Sequence, residues 1–414
     1  MKRFGLLALT LALSAVMAGC GSKSSTRPDT TDPAAAKAEV DAGNAALVAG
    51  DYAAANQHYK AAIAKDPTNP QARFGAGVTE VYVLRDDPDL KAVVDQFTLP
   101  PVSPVPSAHG SPSRSAALAA RVAGLRTGSG GAYTPENSGR ALFRMLALAA
   151  DAPDSISEIQ ALIRTRVMPR LQYAEAQLNF AETATNFVMT FPPAVTGLPD
   201  TIEVDNTEVY LLDALVNGVQ GWLGVLVAYN FDVENSDFDH VNAESLLTPG
   251  TAWAALNPDG ATVLAQAKAD LQTVQVRFGS AATYLANETD DQTDDLIPKS
   301  WLESQGYLDM KNGIAQVTAT LAGPVAISVN DYAGQPFGLD LYAGRFFVPA
   351  IQDLKLLLPH HTFVSGGLQI DRPIIMPDPT MNGIFPDMTN PRWQQLTGLT
   401  GPVAARVSPR LRVR

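Results

Sequence analysis

The side chains able to do chemistry are few and scattered. Five histidines occur, His58, His109, His240, His360 and His361. None forms the His-x-x-x-His pair that sets two imidazoles on one helical face for a metal. His360 and His361 follow Pro359 in a loop, where a tandem pair only seldom ligates. Two acidic groups, Asp232/Glu234/Asp237/Asp239 and Glu288/Asp290/Asp291/Asp294/Asp295, offer carboxylates close together, the raw material of a weak Ca²⁺ site. Neither has the glycine and final glutamate of a calcium-binding loop, so both read as solvated loops, with Asp294 and Asp295 favouring a helix start. Gly-x-Ser-x-Gly elbows, Walker loops and dinucleotide fingerprints are missing from the sequence. The single cysteine, Cys20, forbids an intrachain disulfide and a multi-cysteine metal site. These residues point to a noncatalytic protein with no metal or cofactor.

The stretch 206–231 is the one place where polar side chains sit within an apolar helical pattern. Tyr210, Asp213 and Asn217 form a polar line with Gln220 beside it, among Leu212, Leu215, Val219 and Leu223. Gly218, Gly221 and Gly224 recur every third residue, and each costs about 1 kcal/mol relative to Ala inside a helix. A strip of bare backbone permits close approach by another helix or by a ligand. Tyr210, Asp213, Asn217 and Trp222 are therefore the candidate lining of a ligand cleft, and the alternative is a polar line that faces solvent or bonds a neighbouring helix.

The chain that positions them begins with a leader. Lys2 and Arg3 precede an apolar region of thirteen residues, Phe4 to Val16, too short to span about 30 Å of hydrocarbon. Met17-Ala18-Gly19-Cys20 then resembles the bacterial lipobox, with Met in place of the usual Leu. The resemblance implies cleavage after residue 19, a diacylglycerol on the Cys20 thiol, and a mature chain anchored in the cell envelope by acyl chains. Gly21 stands where that family carries aspartate for inner-membrane retention, which implies the outer membrane, facing the periplasm. Loss of Lys2 and Arg3 leaves 28 basic against 42 acidic side chains, a net charge of -14. So acidic a body excludes nucleic acid as a partner and needs its acyl chains to reach a bilayer. Residues 20–35, rich in Ser, Thr and Ala with two prolines, read as a tether.

From Ala36 to Asn69 the sequence resembles a tetratricopeptide repeat, carried by Gly43-Asn44, Ala46-Leu47, the turn Gly50-Asp51-Tyr52, then Ala55, Tyr59, Ala62 and the closing Asp66-Pro67-Thr68-Asn69. Glu39 stands where the family has an aromatic residue. Residues 36–85 hold this repeat and the first helix of a second. The resemblance implies paired antiparallel helices and a groove for a protein or peptide, lined by Asn44, Leu47 and Tyr52. About three repeats are needed to bury a continuous core, so this segment must pack on the body of the chain beyond it.

Residues 86–138 are Pro-, Gly- and Ser-rich loops with a short helix at Ala116–Leu125. The body, 139–323, shows apolar residues at helical spacing over 139–150, 155–190, 206–231, 259–287 and 299–322, with Pro169 predicting a kink. Residues 324–414 read as a largely irregular C-terminal cap, with β character at Val325–Val329 and Phe346–Val348, one helix near Ala350–Leu358 and a short hairpin. The arginines Arg406, Arg410, Arg412 and Arg414 end it. The fold class is all-α dominated, repeat-like hairpins stacked into a superhelix or bundle.

Three functions fit. The first is a noncatalytic, lipid-anchored envelope scaffold binding another envelope protein or peptide. The second is a ligand-binding lipoprotein that takes a small molecule beside the glycine-rich helix and serves a solute transporter. The third is an envelope hydrolase built on two facing carboxylates.

Overall fold

The computed structural model describes residues 31–87, 90, 156–185, 187–196, 199–232, 243–289, 294–364 and 367–400. The leader, Cys20, the segments 91–155 and 233–242 with His109 and His240, Asp290, Asp291 and the terminal arginines lie outside the described residues. Helices dominate what is described, as expected.

Three helices open the body: α1 (Pro33–Val48), α2 (Tyr52–Lys65) and α3 (Pro70–Arg85). Each start is written in one side chain. Asp32, Asp51 and Asn69 accept the backbone N–H three residues on, at 2.9 Å in every case. Helix α1 thus begins inside the stretch expected as tether. Tyr59 of α2 is the wedge among them. It is wholly buried, and its hydroxyl donates to Asn44 Oδ1 at 2.6 Å. Gly43 and Gly75 both lie against its ring, where a Cβ would come within 2.8 Å and 2.5 Å of it. Glu39, where the repeat family has an aromatic side chain, accepts from Lys65 Nζ at 2.6 Å and bonds His58 Nδ1 at 2.8 Å, so charge replaces ring packing between α1 and α2.

The chain re-enters at α4 (Ile156–Leu162), passes through a π-helical turn at Ile163–Val167 and continues as α5 (Met168–Ala181). Pro169 has no N–H for the carbonyl four residues back, and the helix widens here instead of ending. This continuous rod runs antiparallel to α3: Arg166 meets Asp87 at 3.5 Å, Arg170 meets Glu80 at 3.2 Å and Arg73 meets Gln177 at 2.7 Å. Glu80, nearly buried, also takes Lys60 Nζ at 2.6 Å and Asn56 Nδ2 at 3.1 Å, which joins α2, α3 and α5 through one carboxylate.

A two-stranded ribbon of β1 (Met189–Phe191) and β2 (Ile202–Val204) leads to α6 (Asn206–Ala228). Asp205 caps it, and Glu208 returns a bond to the Asp205 N–H at 3.0 Å, a complete capping box. Then α7 (Gly260–Asn287), 28 residues long, packs along α6 in the most extensive helix pair of the body. Gly221 and Gly224 make that approach possible, with Leu271 Cγ and Ala267 Cβ at 2.6 Å and 2.8 Å from where their Cβ atoms would be. Gly218 meets Val274 at an ordinary 3.6 Å. Gly221→Ala is therefore expected to lower stability by about 1–3 kcal/mol through overpacking. Gly218→Ala is expected to raise it by up to about 1 kcal/mol through helix propensity. Urea titration of the two variants measures the difference in sign.

Helix α6 is also long and apolar enough to cross a membrane, and half of its most apolar window is buried in the body. Its packing between α5 and α7 makes it a core helix. Helix α8 (Gln305–Ala322) follows a 3-10 turn at Lys299–Glu303. The last residues form two hairpins, β3 (Val325–Asn330) with β4 (Pro336–Leu341), and β5 (His361–Val364) with β6 (Gly367–Ile370), before α9 (Asn390–Thr397). Two expectations fail here. Phe346 and Phe347 belong to a helical turn, Gly344–Phe347, because both rings point inward against Tyr229, Leu321 and their neighbours. The stretch Ala350–Leu358 is extended apart from a 3-10 turn, Leu354–Leu357, because its backbone pairs with 254–256 and Lys355 reaches the Thr251 and Trp253 carbonyls.

Candidate functional site

Asp213 is wholly buried at the middle of the body, between α5 and α7. Its Oδ2 lies 2.6 Å from Arg277 Nε of α7, close in space but off the hydrogen-bond line. The same guanidinium meets Glu182, just past the end of α5, at 2.7 Å through Nη1 and donates to Asn179 Oδ1 through Nη2. Asn217, one turn along α6, donates to Asp213 Oδ1 at 3.1 Å and to the Asp213 carbonyl at 3.0 Å. A further turn on, Gln220 donates to Glu175 Oε2 at 2.9 Å. Asp270 on α7 is buried as well and accepts from Gln266 at 2.7 Å.

One guanidinium thus serves two buried carboxyls. Burial first, and then Asp213 beside it, pushes Glu182 up to about 8. Burial pushes Asp213 up to about 6, although Arg277 pulls it down. Near neutral pH the Asp213–Glu182 pair therefore shares a proton beside the single guanidinium, and Glu182 Oε1 has no hydrogen-bond partner. The carboxyls meet across a guanidinium and not across a cleft. Chemically the arrangement is a proton-bearing clamp that ties α5, α6 and α7 together.

A second set of carboxyls gathers where α6 begins. Asp205 is pushed up to about 9 by burial and by its contact with Glu288, and Glu208 to about 7 by burial, against the backbone N–H that holds it. Glu288 accepts from Thr207 Oγ1 at 2.9 Å. Asp294 and Asp295 do not start a helix: the Glu203 N–H donates to the Asp294 carbonyl at 2.8 Å, and Asp295 bridges to Glu203, because this loop adds itself to the edge of β2. Among the described residues no group of three or more His, Cys, Asp or Glu side chains is arranged to hold a metal.

Of the candidate cleft residues, the fold brings Tyr210, Asp213 and Asn217 to the clamp, with Tyr210 raised by burial and by Glu182. It sends Trp222 elsewhere. Nine residues separate Trp222 from Asp213, half a turn out of phase, and Trp222 is 69% exposed on the outer face of α6 with Leu215 and Val219. Of the candidate groove residues, Leu47 is buried in the core. Asn44 is half-buried and holds Tyr59, and Tyr52 stacks on Tyr82 of α3 at 4.5 Å between ring centres. Sequence reasoning missed Arg277, Glu182 and Glu175. The signal for Arg277 was present, since it is the only basic side chain between Lys268 and Lys299.

At the C-terminal end of α6, Gln160 donates to the Leu226 and Tyr229 carbonyls at 2.7 Å and 2.6 Å, and Arg164 to that of Val227 and to Asp259. An open polar cleft of about 380 Å³ lies beside them, lined by Arg164, Asn230, Asp232, Asn257 and Asp259 among others. No family model matches the sequence, and neither a curated protein nor a solved structure is significantly similar to it.

Proposed function

We propose that this chain is a noncatalytic, lipid-anchored scaffold of the cell envelope that binds an apolar segment of another envelope protein. The observation that carries this reading is the outer stripe of α6. Leu215, Val219 and Trp222 are exposed at helical spacing, flanked by the half-buried Leu211 and Leu226. Contiguous exposed apolar side chains with a tryptophan among them are the usual composition of a protein-binding surface.

The helix pairing supports a repeat-like superhelix. Helix α1 pairs with α2, α3 with α5, and α6 with α7, each pair antiparallel. That gives three hairpins, the number at which stacking buries a continuous core. In this arrangement α3 and α4–α5 are two halves of the second hairpin, split by the insert 88–155, and α1, α3 and α6 are the first helices whose outer faces form the groove. Asn44 on α1 is the first hairpin's part of it, joined by Tyr52, the first residue of α2, which stacks on Tyr82 of α3. A partner would dock as an amphipathic helix or an extended apolar segment.

The lipobox supports the location. Cys20→Ser is expected to move the protein from the membrane to the soluble fraction, and continued membrane retention would refute the anchor. The binding surface is tested by the Leu215→Asp/Trp222→Asp double variant. It is expected to melt within a few degrees of the parent and to lose the specific protein that chemical crosslinking in intact envelopes joins to the parent chain. Equal crosslinking of that protein by the double variant would count against the α6 surface.

A further inference from the structure

We propose that the end of α5 is latched to α6 and α7 by one shared proton, and that loss of this proton releases the latch while the rest of the helical body stays folded. The inference does not depend on what the outer face of α6 binds.

The latch is built on a mismatch of charge. Helices α5 and α7 each pack on α6 rather than on one another, so the Arg277 guanidinium is what spans them. Two carboxyls meet it, Glu182 at 2.7 Å and Asp213 at 2.6 Å, and both side chains are more than nine-tenths buried. One positive charge neutralises one carboxylate. The second carboxyl either keeps a proton or sits in the interior as an unpaired charge, which is costly. Glu182 also stands at the C-terminal end of α5, where the helix dipole is negative and opposes a carboxylate. The neighbours bring no relief. Next to the pair are Glu175 on α5 and Tyr210 on α6, and beside Glu175 lies Asp270 on α7. On α3, Arg73 serves the other side of α5, at Gln177 and over the Phe180 ring.

The part free to yield is the last turn of α5. Leu171 and Leu178 hold the helix before it in the main core. Thr183 and Ala184 beyond it are kept by turn bonds to Phe180 and Ala181 and by Asn206 Nδ2, which donates to the Ala184 carbonyl at 2.8 Å. Unwinding this one turn carries Glu182 to water and leaves Arg277 to Asp213. Closed, the pair keeps a proton that the open latch gives up. Opening therefore grows with pH from the ordinary carboxyl range up to about 8, where the closed pair loses its proton too, and levels off beyond.

Hydrogen exchange of the mature chain with Cys20→Ser, read by mass spectrometry and corrected for intrinsic rates, tests the latch. Between pH 6 and 8 the amides of 178–185 are expected to open close to tenfold more for each pH unit, one proton per opening, while those of α1 and α2 keep their protection. Glu182→Gln keeps the shape and leaves one carboxyl for one guanidinium. It is expected to be as protected as the parent at pH 6 and to stay so at pH 8. Asp213→Asn makes the same pairing from the other side and is expected to flatten the response as well, so a folding failure in either variant leaves the other to decide. Exchange at 178–185 that is independent of pH, that rises equally in the two variants, or that rises in step with α1 and α2 would overturn the proposal.

Discussion

Arg277→Met is expected to lower the stability of the helical body by about 3–5 kcal/mol at pH 7, the cost of stranding buried charge by removing one partner. The methionine fills much the same volume, so the loss is electrostatic and not a cavity. Asp213, with no exposure at all, keeps its charge in the parent only because the guanidinium lies 2.6 Å away. Glu182 and Asn179 lose the same partner at once. Two companion variants make the reading specific. Glu182→Gln should cost under about 1 kcal/mol, since a neutral amide of the same shape removes one of the two carboxyls that compete for a single guanidinium. Asp213→Asn placed on Arg277→Met should recover about 1–3 kcal/mol, because it removes the stranded charge. Urea unfolding of the four proteins provides the comparison, and an additive double variant would show that the two residues do not act as a pair.

The second large effect is on pH. Asp205, Glu182, Glu208, Asp213 and Asp270 are raised to about 9, 8, 7, 6 and 6, in each case chiefly by burial. A carboxyl whose folded pKa exceeds its unfolded value contributes its stability in acid. As pH climbs past the unfolded value near 4, the unfolded chain releases protons that the folded one keeps, and stability falls until pH passes the folded pKa. Each proton of difference is worth about 1.4 kcal/mol per pH unit. Asp259, Asp353 and Asp378 are lowered by their donors and act in the opposite sense, losing stability only below about pH 4. The urea midpoint is therefore expected to be highest near pH 5 and to decline through pH 8, by more than about 1 kcal/mol per unit over pH 5–7. Asp205→Asn should flatten the decline at its alkaline end. A midpoint that is constant or rises from pH 5.5 to 8 would show that these carboxyls are not buried as described.

How much of this was legible in the sequence depends on the range of each interaction. The start of α6 at residue 206 was readable because a helix start is a local event, although the caps themselves, Asp51, Asn69 and Asp205, each acting within three residues, were not singled out. The polar face of α6 was readable because Asp213, Asn217 and Gln220 recur at helical spacing. Its partners were not, since Arg277 lies 64 residues on and Glu182 31 residues back, and only the antiparallel packing of three helices brings them together. Trp222 was grouped with Asp213 on apolar context alone, although nine residues of helix already set it on the far side. The C-terminal turns were misread where contacts outside the segment decide the backbone, as at Phe346–Phe347 and Lys355.

A scaffold of this kind requires that the outer face of α6 meet a protein. The most direct measurement places a photoreactive phenylalanine at position 222 of the lipid-anchored chain in living cells and resolves the adducts after illumination. The predicted result is one discrete protein adduct, lost when Leu215 and Val219 are changed to aspartate. Adducts to lipid alone, or an unchanged protein adduct in that variant, would contradict it.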